Sequence, residues 1–391
     1  MTPHARNSLA VAVCFGVLGL VCTAWASSID DLKVLLGLTA SQQGWLLLSG
    51  PAGSLASFSF ASPLLVRVGA RRCARAVGWL YLVAALAVAA CFRFRAPVPF
   101  WCLSLAFLGG MGNLVNISIN TMGGTVERRL GRSRMNAFHG LFSLMCLVGG
   151  LLTLGCSVAG VSVAARFLGV LAVAAVAFAL SVRFLPEDEA ASAPAAHVGR
   201  RPDRALLLLG GAALVVMGCE GAVADWIGVF FRESLSVDER HVKWGFCALT
   251  GMMAFGRFST GRLVDRFGSV RVFRTDALLV FAGLALALPA PCLMPPGAPL
   301  LALATAGFAV AGFGLSGLVP ILYSKASRST AMPPASAITF IGSAGFAGYF
   351  AGPPLIGHLA EWTSLSVALG VFALLMLFCV GLDIERDGRD R

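Results

Sequence analysis

Two carboxylates five residues apart, Glu220 and Asp225, stand inside one long apolar run of the sequence, and Trp226 follows the second directly. An ionised side chain at the centre of a hydrocarbon layer costs on the order of 2.5–3.5 kcal/mol, so an acid kept there faces a partner or a cavity. Glu220, near the middle of the run, is placed to take up and release a proton or to touch a polar solute. Its other reading is a packed carboxyl bonded to a neighbouring helix. Asp225 falls about 140° further round a helix, so one face cannot present both acids. Asp225 and Trp226 are therefore expected at the outer vestibule, or in a purely structural role. In another run, Asn113, Asn116 and Asn120 fall at i, i+3 and i+7 and form one polar stripe. Amides suit hydroxyl-rich neutral solutes, and they serve equally as hydrogen bonds between membrane helices. Asn136, His139 and Ser143 share a face of the next run, where His139 serves as a proton relay or as a helix contact. Gln43 is a weaker pocket candidate, because it and Gln42 start their run where solvent reaches both. Arg257 lies about two turns from an end, where snorkelling accounts for it.

The elements that carry these residues follow from composition. Of 391 residues, 58% are hydrophobic and 13% charged, a balance that belongs to a membrane solvent. Apolar runs of about 20 residues, enough to cross the hydrocarbon core, recur between short basic loops. Twelve spans are expected, at 7–27, 42–66, 74–92, 98–123, 135–159, 162–184, 205–231, 241–263, 273–293, 298–324, 335–360 and 363–383. With the N-terminus in the cytoplasm, 22 Lys and Arg fall on the inner side and 7 on the outer, which puts both termini inside. Trp25, Trp45, Trp101, Trp226, Trp244 and Trp362 then fall toward outer ends, as interfacial aromatics do. The net charge of +11 belongs to loops beside apolar segments and forms no continuous face for nucleic acid.

Several chemistries have no support. The 11 cysteines are scattered, without CxxC or a His at metal spacing, and read as small buried hydrophobes. No P-loop lysine, HExxH or GxSxG element occurs, so ATP-driven pumping and hydrolysis lack their residues. Gly312-x-Gly314-x-x-Gly317 satisfies a dinucleotide fingerprint by letter only, since it lies within a span. No cofactor and no metal are expected.

The chain divides into residues 1–184, a cytoplasmic linker 185–204 rich in Ala, Ser and Pro, and residues 205–391. A weak internal repeat offset by about 200 residues joins the two halves. Leu64, Arg67, Gly69 and Arg72 answer Leu263, Arg266, Gly268 and Arg271, and Gly110-x-Gly112 answers Gly312-x-Gly314. The eleventh span carries Gly342, Gly345, Gly348 and Gly352 on one face and then Pro353-Pro354, which suits close packing and bending.

Gly261-Arg262-Leu-Val-Asp265-Arg266-Phe-Gly268-Ser-Val-Arg271 resembles the cytoplasmic signature of the major facilitator superfamily. In that signature Gly261 would permit close helix approach, Asp265 would accept from a neighbouring helix N-terminus, and Arg262, Arg266 and Arg271 would anchor the turn at lipid headgroups. Val66 stands where the first-half copy would have its acid, so the latch is expected in the second half alone. Met135–Gly140, Glu220–Trp226 and Ala351–Glu361 look like a bacterial branch of the family that includes a membrane protein of rhizopine gene clusters, near fucose-type sugar permeases. The resemblance implies an all-α fold of two pseudo-symmetric six-helix halves, an inner-membrane monomer, and alternating-access transport of a sugar- or polyol-like solute, with protons as the coupling partner through Glu220. Export of an amphiphile and a non-transporting membrane sensor are the competing readings.

Overall fold

In lipid every backbone N–H and C=O must find its partner inside the chain, and helices do this within a single segment. The computed structural model describes residues 3–130, 134–187, 202–326 and 334–382, and these are helical almost throughout. The first half contains α1 (Pro3–Ala26), α2 (Ile29–Leu36), α3 (Ala40–Leu47), α4 (Ser49–Val68), α5 (Ala70–Phe94), α6 (Val98–Leu130), α7 (Met135–Val158) and α8 (Val163–Val182). The second contains α9 (Arg204–Val229), α10 (Trp244–Phe267), α11 (Ser269–Ala287), α12 (Ala290–Leu293), α13 (Ala298–Ala326), α14 (Pro334–Trp362) and α15 (Leu365–Gly381). With α3 and α4 taken as one broken span, and α2 and α12 as short additions, twelve spans lie among the described residues.

Eight of these are long and apolar enough to cross a bilayer by length and composition alone, and α15 is a shorter apolar helix. The broken α3–α4, α10 and α14, which fall outside that group, complete the set. Ser162, Asp203 and Ser364 cap helix starts by accepting from the N–H groups of Ala165, Leu206 and Val367. The short α2 was not expected from the sequence. It starts with Asp30 and Asp31, which favour a helix N-terminus, and stops at Gly37, whose φ of 62° closes the last turn.

The chain falls into two compact units, Met1–Leu38 with Trp45–Pro194 and Thr39–Gly44 with Ala195–Arg391. Their internal packing repeats. In the first unit α6 packs on α4 and α5, α1 on α7 and α8, and α5 on α8; in the second α13 packs on α10 and α11, α9 on α14 and α15, and α11 on α15. The glycines repeat as well. Gly110 abuts Gly53 of α4 and Gly112 abuts Tyr81 of α5, while Gly312 abuts Leu249 of α10 and Gly314 abuts Asp276 of α11. Gly69 and Gly268 join their helices with nearly identical backbones, φ 90°, ψ 148° and φ 82°, ψ 150°. Only glycine adopts that conformation without strain, so the repeated letter marks a repeated turn.

Gly261 corrects one expectation, because no described atom lies within 4 Å of where its Cβ would sit. At Gly312 a Cβ would meet the Leu249 carbonyl oxygen at 2.2 Å. Gly312→Val is therefore expected to destabilise the protein by on the order of 1–3 kcal/mol, whereas Gly261→Val leaves its thermal unfolding in detergent unchanged. Equal melting of the two variants would contradict this packing.

Candidate functional site

Glu220 meets Arg257, a cation whose position near a helix end suggested snorkelling. On α9 its Oε1 lies 3.4 Å from Nη2 of Arg257 on α10, and the side chains keep 16% and 27% of their exposure. The two ionisable groups in adjacent apolar helices offset each other's cost of leaving water. At 3.4 Å the pair is longer than a tight charge-assisted bond of about 2.7–2.9 Å, so another donor, a proton or a solute hydroxyl can compete for the carboxylate. The sequence signal for Arg257 was that complementarity of sign between neighbouring spans, which snorkelling hid.

The surroundings of Glu220 are closely built. Gly218 of α9 lies against Gly348 of α14, where an added Cβ on Gly348 would meet the Leu214 carbonyl at 2.2 Å, and Gly221 lies against the ring of Tyr349. Of the glycine face expected on the eleventh span, Gly345, Gly348 and Gly352 lie against α9, while Gly342 lies against Tyr323 of α13. Asp225 is half-buried and not joined to Glu220. Trp226 is fully buried, and its indole N–H has no partner among the described residues. Trp101 is also fully buried, donating to the Ala96 carbonyl, while Trp45, Trp244 and Trp362 are exposed. Beyond Val229 the helix continues as a π turn, Phe230–Ser234, whose Phe230 and Phe231 pack against Phe308.

In the first unit the asparagine stripe divides between two neighbours. Asn113 is buried and donates to Ser57 Oγ at 2.8 Å and to the Ser54 carbonyl at 3.3 Å, which joins α6 to α4. Asn120 donates to Asn116 Oδ1 at 2.8 Å, and its own Oδ1 lies 3.2 Å from His139 Nε2 on α7. His139 also edges the ring of Phe15 at 5.0 Å, and Ser143 Oγ donates to the His139 carbonyl. Asn116 and His139 are exposed in this unit, so Asn116, Asn120 and His139 form an open polar cluster and Asn113 an interhelical tie. The side chain of Asn136 lies outside the described residues.

The two glutamines differ sharply. Thr39 and Gln42 form a reciprocal cap at the start of α3, Thr39 N–H to Gln42 Oε1 and Gln42 N–H to Thr39 Oγ1. Gln43, expected at a solvated helix start, is instead fully buried, with no hydrogen-bond partner for either amide atom among the described residues. Around it Gly44 touches Pro353, Ser41 bonds His358 at 2.9 Å, and the Ser41 N–H donates to Glu361. Gly268 and Val264 close the turn after α10, while Arg262, Asp265, Arg266 and Arg271 are exposed, Asp265 with no bond among the described residues. Asp276 is buried, its carboxylate against Gly317 of α13.

The described helices form two six-helix halves whose internal packing repeats, and residues 8–335 match the Major Facilitator Superfamily. The chain belongs to that family and is a multi-pass membrane transporter. It is 29% identical over 383 residues to an uncharacterized MFS-type transporter of Yersinia pestis, covering 96% of this chain and 94% of that one. It is 31% identical over 379 residues to the membrane protein MosC of Rhizobium meliloti, covering 95% and 87%. Among solved structures, a mutant of the nucleoside transporter NupG superposes with a TM-score of 0.75 at 12% identity, covering 96% of this chain and 98% of that one. At that identity the likeness is one of fold.

Proposed function

We propose that the protein is a secondary transporter that moves a small, neutral, hydroxyl-rich solute by alternating access, coupled to protons through Glu220. The observation that carries this reading is the half-buried, loosely held Glu220–Arg257 pair between apolar helices. A carboxylate whose partner can be displaced alternates between a paired and a protonated or solute-bound state, which is what coupling requires. In the first half Asn116, Asn120 and His139 offer the amides and imidazole that a sugar, a polyol or the ribose of a nucleoside would bond. The count of 22 basic residues against 7 supports both termini in the cytoplasm, and a monomer of the bacterial inner membrane with residues 185–204 as the linker is part of the same proposal.

The test is counterflow in proteoliposomes loaded with sugars, polyols, nucleosides or a lipophilic cation. Exchange of a hydroxylated neutral solute supports the reading. Exchange of the lipophilic cation alone overturns it in favour of an amphiphile exporter, and no exchange of any favours the non-transporting alternative.

The exposed signature Gly261–Arg271 is proposed as the inner gate latch, in which Asp265 accepts at a helix N-terminus in the outward-open state. Asp265→Asn is expected to leave insertion intact and to shift the protein away from that state. Cysteine probes on the cytoplasmic side would then react faster; unchanged reactivity would remove Asp265 from the latch.

A further inference from the structure

Asp276 stands about two turns into α11, within the segment Ser269–Leu293 that is long and apolar enough to span a membrane, and it is 3% exposed. Its Oδ2 fills the space that a Cβ on Gly317 of α13 would take, and Thr260 Oγ1 of α10 lies 3.2 Å from the same point. Among the described residues Oδ2 has no hydrogen-bond partner. Thr260 donates its one hydroxyl hydrogen to the Gly256 carbonyl at 2.9 Å, so toward this junction of three helices it can only accept. A carboxylate among acceptors calls for a positive charge, and the chain's own cations are placed elsewhere. α11 packs on α10, α13 and α15. On these four helices Arg257 meets Glu220, Arg274 donates to the Leu382 carbonyl, and Arg262, Arg266 and Arg271 are exposed. No ion pair among the described residues joins any of them, or Lys325, to Asp276. Cys247, Asp265, Tyr323 and Cys379, the other titratable groups of those helices, carry no positive charge.

Packing alone does not demand an acid here. Counted from the matching turns at Gly69 and Gly268, Thr260 and Asp276 answer Ala61 and Val77 of α4 and α5, which are both buried and apolar. The first unit fills these positions with hydrocarbon, so the carboxyl and the hydroxyl are additions to the repeated fold.

We propose that Asp276 and Thr260 form a binding site for a monovalent cation, supplied as a proton or as Na+, in addition to Glu220. Buried acids in membrane helices are neutralised or hold ions, and either cation discharges the same carboxylate. A proton makes Asp276 a donor to the acceptors around it, whereas Na+ is held by Oδ2 and Thr260 Oγ1, oxygen ligands of the kind hard cations take. The site does not depend on coupling through Glu220, and its test reads binding rather than transport.

The full-length protein in detergent is melted in sodium, potassium and choline chloride at equal ionic strength, and in choline chloride from mildly acid to mildly alkaline pH. A higher unfolding temperature in Na+ than in K+ or choline names Na+ as the occupant. No preference among the salts, with an unfolding temperature that falls as pH rises, names the proton. Asp276→Asn keeps the size, binds neither cation and is expected to abolish the Na+ preference or to flatten the fall with pH. Should it fail to elute as a single species, Thr260→Ala/Asp276→Val, which installs the pair that the first unit already packs, is expected to do the same. Thr260→Val alone is expected to weaken a Na+ response several-fold. Responses to salt and pH that are the same in the folded Asp276 variants as in the wild type overturn the proposal, and so does a wild type that responds to neither.

Discussion

Glu220→Gln is expected to end uphill solute accumulation in proteoliposomes under an imposed pH gradient, bringing it down to the level of protein-free vesicles, while downhill exchange continues. Glutamine keeps the size and the hydrogen-bonding oxygen that faces Arg257, so α9 and α10 remain joined, but it cannot gain or lose the proton. The split between accumulation and exchange separates coupling from support, since a merely structural carboxyl would lose both or neither. Arg257→Ala is expected to lose both, because it leaves Glu220 without its cation at 3.4 Å. Arg257→Lys keeps the charge and should retain part of the exchange, as the pair is neither bidentate nor tight. Accumulation by Glu220→Gln equal to wild type would move coupling elsewhere, with Asp225, Asp276 and His139 the remaining candidates.

The largest stability effect is expected at a pair on α2 and α8. Asp31 and Arg166 form a salt bridge with side chains only 6% and 4% exposed. Next to it Ser27 Oγ donates to Thr153 Oγ1 at 3.2 Å, adding α7 to the junction. Removing one partner takes the directly bonded opposite charge away where water does not reach, at a cost of about 3–5 kcal/mol. Arg166→Ala and Asp31→Ala should therefore each lower the unfolding temperature in detergent strongly. The double replacement Asp31→Leu/Arg166→Met should recover most of the loss, because two apolar side chains strand no charge. If the double variant melts as low as the sum of the singles, the pair is not the coupled unit its geometry indicates.

That pair marks how far the sequence could be read. The 7 outer cations of the charge count include Arg166 and Lys243, yet these are 6% and 1% exposed. A charge count cannot separate a solvated loop cation from one folded under a short helix, and α2 itself leaves no apolar run of spanning length. The spans were legible because hydrocarbon demands runs of fixed length. The repeat was legible because glycine alone suits the turns at Gly69 and Gly268. Helical spacing put Asn113, Asn116 and Asn120 on one face correctly, but spacing does not name the neighbour. At the height of Asn113 that face meets α4, and seven residues on it meets α7, so one stripe became a tie and an open cluster. Arg257 shows the same limit, since its distance from a helix end suggested snorkelling and only the fold placed it beside Glu220. Gln43 was misjudged because a helix start is solvated only when nothing packs over it, and here α3 begins against α14.

The central claim is that solute and proton move together through Glu220. It is tested most directly by recording external pH as each hydroxylated solute of the counterflow panel is added to unbuffered proteoliposomes of wild-type protein and of Glu220→Gln. Solute-dependent alkalinisation in the wild type, absent in the variant although that variant still exchanges solute, is the expected result. Solute-dependent proton movement that persists in Glu220→Gln, or solute transport by the wild type with no proton movement at all, would contradict it.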